Sequence, residues 1–207
     1  MSRSQIGQDL SVLKFYNNKR EGYFVEVGAT DGIHFSNTYH LEKDYAWRGI
    51  CVEPVPHNYA KLCKNRPTAH CSDYAVYNTS GSSVDFDVAG SNVLSGITSH
   101  ISAKWAAHIG TNKTTIKVDT ITLADLLDKY NAPNFIEYLS LDTEGSEYEI
   151  LKVFDYNKYV FGLIDVEHNS IEPQRTQIRE LLVANGYIYI GPNRWDDCYR
   201  HNSVNVQ

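Results

Sequence analysis

Apolar and polar positions along this chain alternate between two textures: short, nearly unbroken apolar runs, and stretches whose apolar residues recur three or four apart. The first texture is that of strands covered on both faces, and the second is that of helices laid against them. Strands are predicted at residues 23–27, 49–53, 69–76, 135–141 and 160–166, with another at 115–118. Helices are predicted at 10–16, 36–46, 56–65, 123–130, 146–154 and 174–185. Pro56 suits a first helical turn, Thr122 an N-cap, and Gly186 a helix stop. Strand and helix alternate in order, so the expected fold class is α/β: a doubly wound, mostly parallel seven-stranded sheet. Residues 187–190 and 196–199 are expected to close it as a C-terminal antiparallel hairpin. One domain is expected over 1–207, with residues 1–20 as a helix or lid. Residues 80–114 are expected to insert a hairpin at 83–88 and a Ser-, Gly-, Asn- and Thr-rich loop on the acceptor side.

Composition narrows the partners. The 207 residues carry a net charge of −6 with no Lys/Arg run, which argues against nucleic acid. No apolar stretch reaches the ~20 residues a membrane span needs, and no secretion signal opens the chain. Cys51, Cys63, Cys71 and Cys198 have neither metal-site nor disulfide-scaffold spacing, so reduced thiols and a cytoplasmic location are expected.

Ligands of open α/β sheets bind beyond the carboxyl ends of the strands, and here those ends are polar. The first strand ends Glu26-Val27-Gly28-Ala29-Thr30-Asp31-Gly32, a turn in which the glycines allow close approach of a ligand. It lacks the G-x-G-x-x-G spacing of a dinucleotide site. The second strand ends at Glu53, an acid able to accept both hydroxyls of a ribose or to cap the following helix. Ser72 and Asp73 end the third strand, where they could meet a nucleobase or simply form a turn. The fourth ends Leu141-Asp142-Thr143-Glu144-Gly145-Ser146-Glu147. So many carboxylates leaving a buried strand repel one another unless a cation, such as a sulfonium or a divalent metal, balances them. Glu147 is assigned to the helix N-terminus. The fifth strand ends Asp165-Val166-Glu167-His168, with His168 either a core histidine or a functional one.

Taken in order, these motifs resemble the FkbM family of methyltransferases. The likeness runs from Ser4-Gln5-Ile6-Gly7-Gln8-Asp9 through Phe24 to Gly32, Ser36-Asn37-Thr38, Glu53-Pro54, Ala75-Val76, and Leu141 to Glu147, ending at Val166-Glu167-His168. It is weakest between Ser80 and Thr114. The resemblance implies a class I methyltransferase, Rossmann-like, with S-adenosylmethionine as donor and a hydroxyl of a small molecule or glycan, for instance a deoxysugar such as rhamnose, as acceptor. It implies that Glu26, Gly28, Ala29, Asp31 and Asp142 are donor-site residues, with Glu53 the ribose acid, Ser72 and Asp73 on the adenine side, and Gln8 and Asp9 as a lid.

Methylating an alcohol needs a base or a Lewis acid besides positioning. His168, with Asp142 and Glu144, is the expected catalytic set. Asp142, Glu167 and His168 are also similar in position to the metal ligands of catechol-type O-methyltransferases, and would suit Mg²⁺ or Mn²⁺. Trp105 and Trp195 are expected to stack on an acceptor sugar, with Tyr199 and Arg200 bonding its hydroxyls. Two rival readings stand beside this one: a nicotinamide-dependent oxidoreductase, and a donor-binding scaffold without catalysis.

Overall fold

The computed structural model describes residues 2–90, 95–101 and 112–204. The main sheet holds β1 (Tyr23–Val27), β2 (Arg48–Val52), β3 (His70–Ser72), β8 (Phe135–Leu141), β9 (Val160–Glu167), β10 (Tyr187–Asn193) and β11 (Asp196–His201). Their order is β10-β11-β9-β8-β1-β2-β3. β11 alone runs antiparallel to its neighbours, β9 and β10. The order reverses between β1 and β8, which lie side by side though more than a hundred residues apart. The chain therefore leaves their carboxyl ends in opposite directions and opens a crevice between them.

Alternation along the strands sorts two cores. Val25, Val27, Ile50, Val52, Leu139, Leu141 and Ile164 face α4 (Leu123–Lys129), α5 (Glu147–Leu151) and α6 (Gln174–Ala184). Phe24, Cys51, Tyr138 and Leu163 face α1 (Gln8–Phe15), α2 (Tyr39–Tyr45) and α3 (Pro56–Asn65). The Thr122 hydroxyl caps α4 by accepting from the Asp125 N–H. Gly186 follows α6 at φ 88°, where a side chain would be strained.

Three differences from the expected boundaries shape the site. The predicted strand 69–76 is cut at Asp73-Tyr74 into β3 and β4 (Ala75–Val76), which belong to different sheets. The second sheet, of order β4-β7-β5-β6, uses β5 (Ser83–Ala89), β6 (Gly96–Ile97) and β7 (Lys113–Ile121). β7 runs well past the predicted 115–118, because it pairs with β5 from Ser83↔Asp119 to Ala89↔Lys113. This sheet has its own core of Val55, Ala75, Phe86, Ile97 and Val118, and it lines part of the crevice. Finally, α2 begins at Tyr39 and not at residue 36, because Ser36, Asn37 and Thr38 spend their polar groups on Glu26. Among the described residues no helix is long and apolar enough to cross a membrane, and the four cysteines are free.

Candidate active site

The crevice at the β1/β8 reversal is a cleft of about 870 Å³, part of it open to solvent. Its lining is mixed. Val52, Tyr74, Ala75, Phe86 and Ile97 supply apolar surface beside Glu53. Glu26, Gly28, Asn37, Ser140, Asp142 and Glu144 supply a polar wall. Four carboxylates line the cleft, and no Lys, Arg or His does among the described residues.

Gly28 is required in the polar wall. It adopts φ 90°, and a Cβ would collide with the Asp142 carbonyl. Glu53 ends β2 with only 5% of its surface exposed, and its Oε1 accepts from the Val55 N–H at 2.8 Å. Burial pushes its carboxyl up to about 7.

Glu26 lines the cleft yet is fully engaged. It accepts from the Ser36 and Thr38 hydroxyls (2.8 and 2.6 Å) and the Asn37 N–H (2.5 Å). Arg66, wholly buried, lies 3.4 Å from it and also pairs with Glu42. The acid expected at the donor is thus an anchor for the segment that precedes α2.

The densest acid group is Asp142, Glu144 and Glu167, whose oxygens can lie within 4.8 Å of one another. Burial first, then mutual repulsion, holds these carboxyls high: Glu144 at about 9 and Glu167 well above the ordinary range. Burial likewise raises Asp142. A cation beside them would favour their ionised forms. Glu147 instead faces its own loop, accepting from the N–H groups of Thr143 and Gly145.

Several predicted site residues lie elsewhere. His168 does not join the acids: neighbouring strand residues point to opposite sides, so Glu167 faces the acid group and His168 faces away. Its Nδ1 accepts from the Ser170 N–H at 2.8 Å, and its Nε2 sits 3.6 Å from Asp197, itself held by Arg175 and Arg179. Burial lowers its pKa, which favours the neutral imidazole. Glu144 takes the place expected for His168 in the candidate metal group.

Gln8 donates to Asp196 at 2.8 Å, and Asp9 accepts from the Ser2 and Ser4 hydroxyls; neither lines the cleft, whereas Gln5 does. Ala29 packs into the core beside Leu41, leaving Thr30 on the wall. Asp31 folds back on its own turn, accepting from the N–H groups of Ile33 and His34 (both 2.9 Å). Ser72 is buried off the cleft, and Asp73 is exposed in a separate groove beside Tyr59, because the chain turns there to enter β4. Tyr199 is wholly buried and Arg200 donates to the Val204 carbonyl, so neither reaches an acceptor in the cleft. Trp195 is 37% exposed, and its Nε1 donates to Gln5 on the cleft wall. Trp105 falls outside the described residues.

Residues at or near the cleft that escaped sequence reasoning include Tyr74, Phe86, Ile97 and Ser140, and three more with distinctive settings. Phe35 holds φ 62° with 53% of its surface exposed at the cleft, an unusual conformation for a bulky residue. Asn37 is buried in the polar wall. Asn169 donates to Glu167 at 2.8 Å and to Glu144 at 3.3 Å, bridging the acid group. An exposed Phe and two asparagines carry no periodic signal; only the Ser36-Asn37-Thr38 motif marked one of them.

Solved structures of similar fold include a candidate RNA methyltransferase from Pyrococcus horikoshii, with TM-score 0.50, 8% identity, and coverage of 95% of this chain and 81% of that one. A candidate rRNA methylase from Clostridium thermocellum matches with TM-score 0.50, 11% identity, and 99% coverage of each chain. TrmK of M. capricolum, solved with S-adenosyl-homocysteine, matches with TM-score 0.50 and 9% identity, over 93% of this chain and 68% of its own. No curated protein matches the sequence. The sheet order and its crevice are those of a Rossmann-like class I methyltransferase. The profile of the methyltransferase FkbM domain matches residues 26–189, most of the chain, and the protein belongs to the FkbM methyltransferase family.

Proposed function

We propose that this protein transfers a methyl group from S-adenosylmethionine to a hydroxyl of an uncharged, hydroxyl-rich small molecule, a sugar or glycan. The observation that carries the reading is the mixed lining of the cleft: apolar residues beside Glu53 suit a nucleoside, and the acids suit a cation. Tyr74, Phe86 and Ile97 offer an apolar seat for a base, and the second oxygen of Glu53 can accept from ribose hydroxyls. Bound there, the donor supplies an electrophilic methyl carbon on a positively charged sulfur.

The chain's own contribution is chiefly alignment and exclusion of water. Positive charge arriving in the cleft favours the ionised forms of Asp142, Glu144 and Glu167. The ionised carboxylate nearest the acceptor then takes the proton of its hydroxyl. Base catalysis of this kind is worth ~10²–10⁴-fold. An acid-lined cleft also speaks about the acceptor. Phosphate-rich ligands need Lys or Arg, and four carboxylates repel them. Sugar hydroxyls donate readily to carboxylates, and Trp195 and Phe35 offer exposed rings beside the cleft.

A second reading is favoured by the spacing of Asp142, Glu144 and Glu167: three hard oxygen donors suit Mg²⁺ or Mn²⁺. Bound by them, the metal would lower the pKa of the acceptor hydroxyl. The test of function is mass spectrometry of glycans and deoxysugars incubated with the protein and methyl-labelled donor. Gain of one labelled methyl on a hydroxyl is expected. Transfer to RNA, or to nothing in a broad panel while the donor binds, would overturn the acceptor assignment.

A further inference from the structure

Phe35 sits where its side chain gives the free protein little. Its backbone lies in the left-handed region at φ 62°, where a Cβ is crowded, and 53% of its surface is exposed at the cleft. It belongs to none of the three apolar cores. Glycine or asparagine would hold this backbone at less cost. What phenylalanine adds is the ring itself.

The conformation is imposed from both sides. Before it, the Asp31 carboxylate accepts from the Ile33 and His34 N–H groups, and the Thr30 hydroxyl donates to the His34 carbonyl at 3.1 Å. After it, Ser36, Asn37 and Thr38 are tied to Glu26. Ser4 of the N-terminal segment pairs with Phe35 in an isolated bridge. Strained residues persist only where their surroundings over-determine them, and they gather at ligand clamps.

The same segment tethers a second ring. Gln5, next to Ser4, lines the cleft and accepts from the Trp195 Nε1 at 3.1 Å. Arg194 lies over the Trp195 ring at 5.8 Å, which leaves Phe35 the freer platform. Trp195 is exposed and does not line the cleft itself, so the two rings mark its mouth. The residues proposed for the nucleoside follow β2 or belong to the second sheet and its approach, not to this loop. A ligand lying on Phe35 is therefore the acceptor. The ring makes no hydrogen bond and takes a C–H face; a pyranose offers one, with hydroxyls around its edge for the carboxylates.

We propose that Phe35 decides which acceptor binds: its ring is the platform for the apolar C–H face of an uncharged pyranose at the cleft mouth. This rests on the acceptor reading above and names the residue that selects that face. The left-handed backbone is the means of presenting the ring.

The test measures transfer from methyl-labelled donor to the methyl glycosides of rhamnose, fucose, glucose and galactose, with calorimetry of S-adenosylhomocysteine alongside. For whichever glycoside the wild type methylates, Phe35→Gly and Phe35→Asn, both suited to this backbone, are expected to raise the acceptor KM about tenfold. Both are expected to keep kcat and the affinity for S-adenosylhomocysteine within about twofold, and Phe35→Tyr, which keeps the ring, to keep KM within about twofold as well. Unchanged KM in the Gly and Asn variants overturns the inference, and so does a rise in KM for Phe35→Tyr equal to theirs. A loss of S-adenosylhomocysteine affinity as large as the rise in KM also overturns it, because the ring would then serve the donor or the fold. Wild-type protein that binds S-adenosylhomocysteine and methylates none of the four glycosides overturns the acceptor reading and this inference together.

Discussion

Replacing Glu53 by Gln should stabilise the empty protein at alkaline pH while destroying its affinity for the donor. The carboxyl is almost fully buried, and burial lifts it from 4.5 to about 7 in the fold. A group raised in the folded state binds more protons there than when unfolded. Its contribution is therefore complete below about pH 4.5 and is lost as the pH rises through about 7. Once ionised, this burial costs about 3 kcal/mol. Glutamine has the same shape, keeps an oxygen for the Val55 N–H and never ionises. At about pH 8.5 the variant should exceed the wild type by about 3 kcal/mol, and near about pH 4.5 the two should agree. For a chain of this length that is a gain in Tm of roughly 6–12 °C. Thermal unfolding followed by circular dichroism, without ligand, at both pH values makes the comparison. A variant no more stable than wild type at alkaline pH, or equally stabilised at both, would refute the argument that this acid is held against its solvation for the sake of a ligand.

Other outcomes follow from the same site. Donor affinity should rise with pH through the neutral range, because the protons held by Glu53 and Glu144 (at about 7 and about 9) compete with a cationic ligand; flat affinity from pH 6 to 9 by calorimetry would contradict this. His168→Asn should keep turnover within about twofold, since that side chain bonds its own loop and not the cleft; a loss of about a hundredfold or more would restore the histidine as the base. Arg66→Met should cost about 3–5 kcal/mol of stability by leaving Glu26 and Glu42 buried without their cation, read by urea unfolding; a cost below about 1 kcal/mol would show that the network is not held by charge. Chelator should abolish turnover, and Mg²⁺ or Mn²⁺ should restore it, if the second reading holds; full activity in excess chelator removes the metal.

The sheet was legible because its strands are covered on both faces, so apolar runs such as Phe135–Leu141 and Val160–Val166 stand out without any knowledge of the ligand. Glu53 and Asp142 were legible too, since an acid at the end of a buried strand has few structural uses. What the residue order hides is direction. His168 and Glu167 are adjacent in sequence, and only the strand's phase decides which one meets Asp142. Asp31 and Glu26 carry the same charge in one turn, yet one caps its own loop and the other binds Arg66, a partner forty residues away. The break at Asp73-Tyr74 was invisible because 69–76 reads as one continuous strand until β7, far along the chain, captures its second half. Tyr199 has the composition of a ligand-binding residue and the surroundings of a core one.

The central claim is that the cleft between β1 and β8 is the donor's. A crystal structure with S-adenosylhomocysteine tests it most directly. The account predicts ribose hydroxyls on the Glu53 carboxylate and the base among Tyr74, Phe86 and Ile97. Density for the nucleoside anywhere else, or ribose turned away from Glu53, would contradict it.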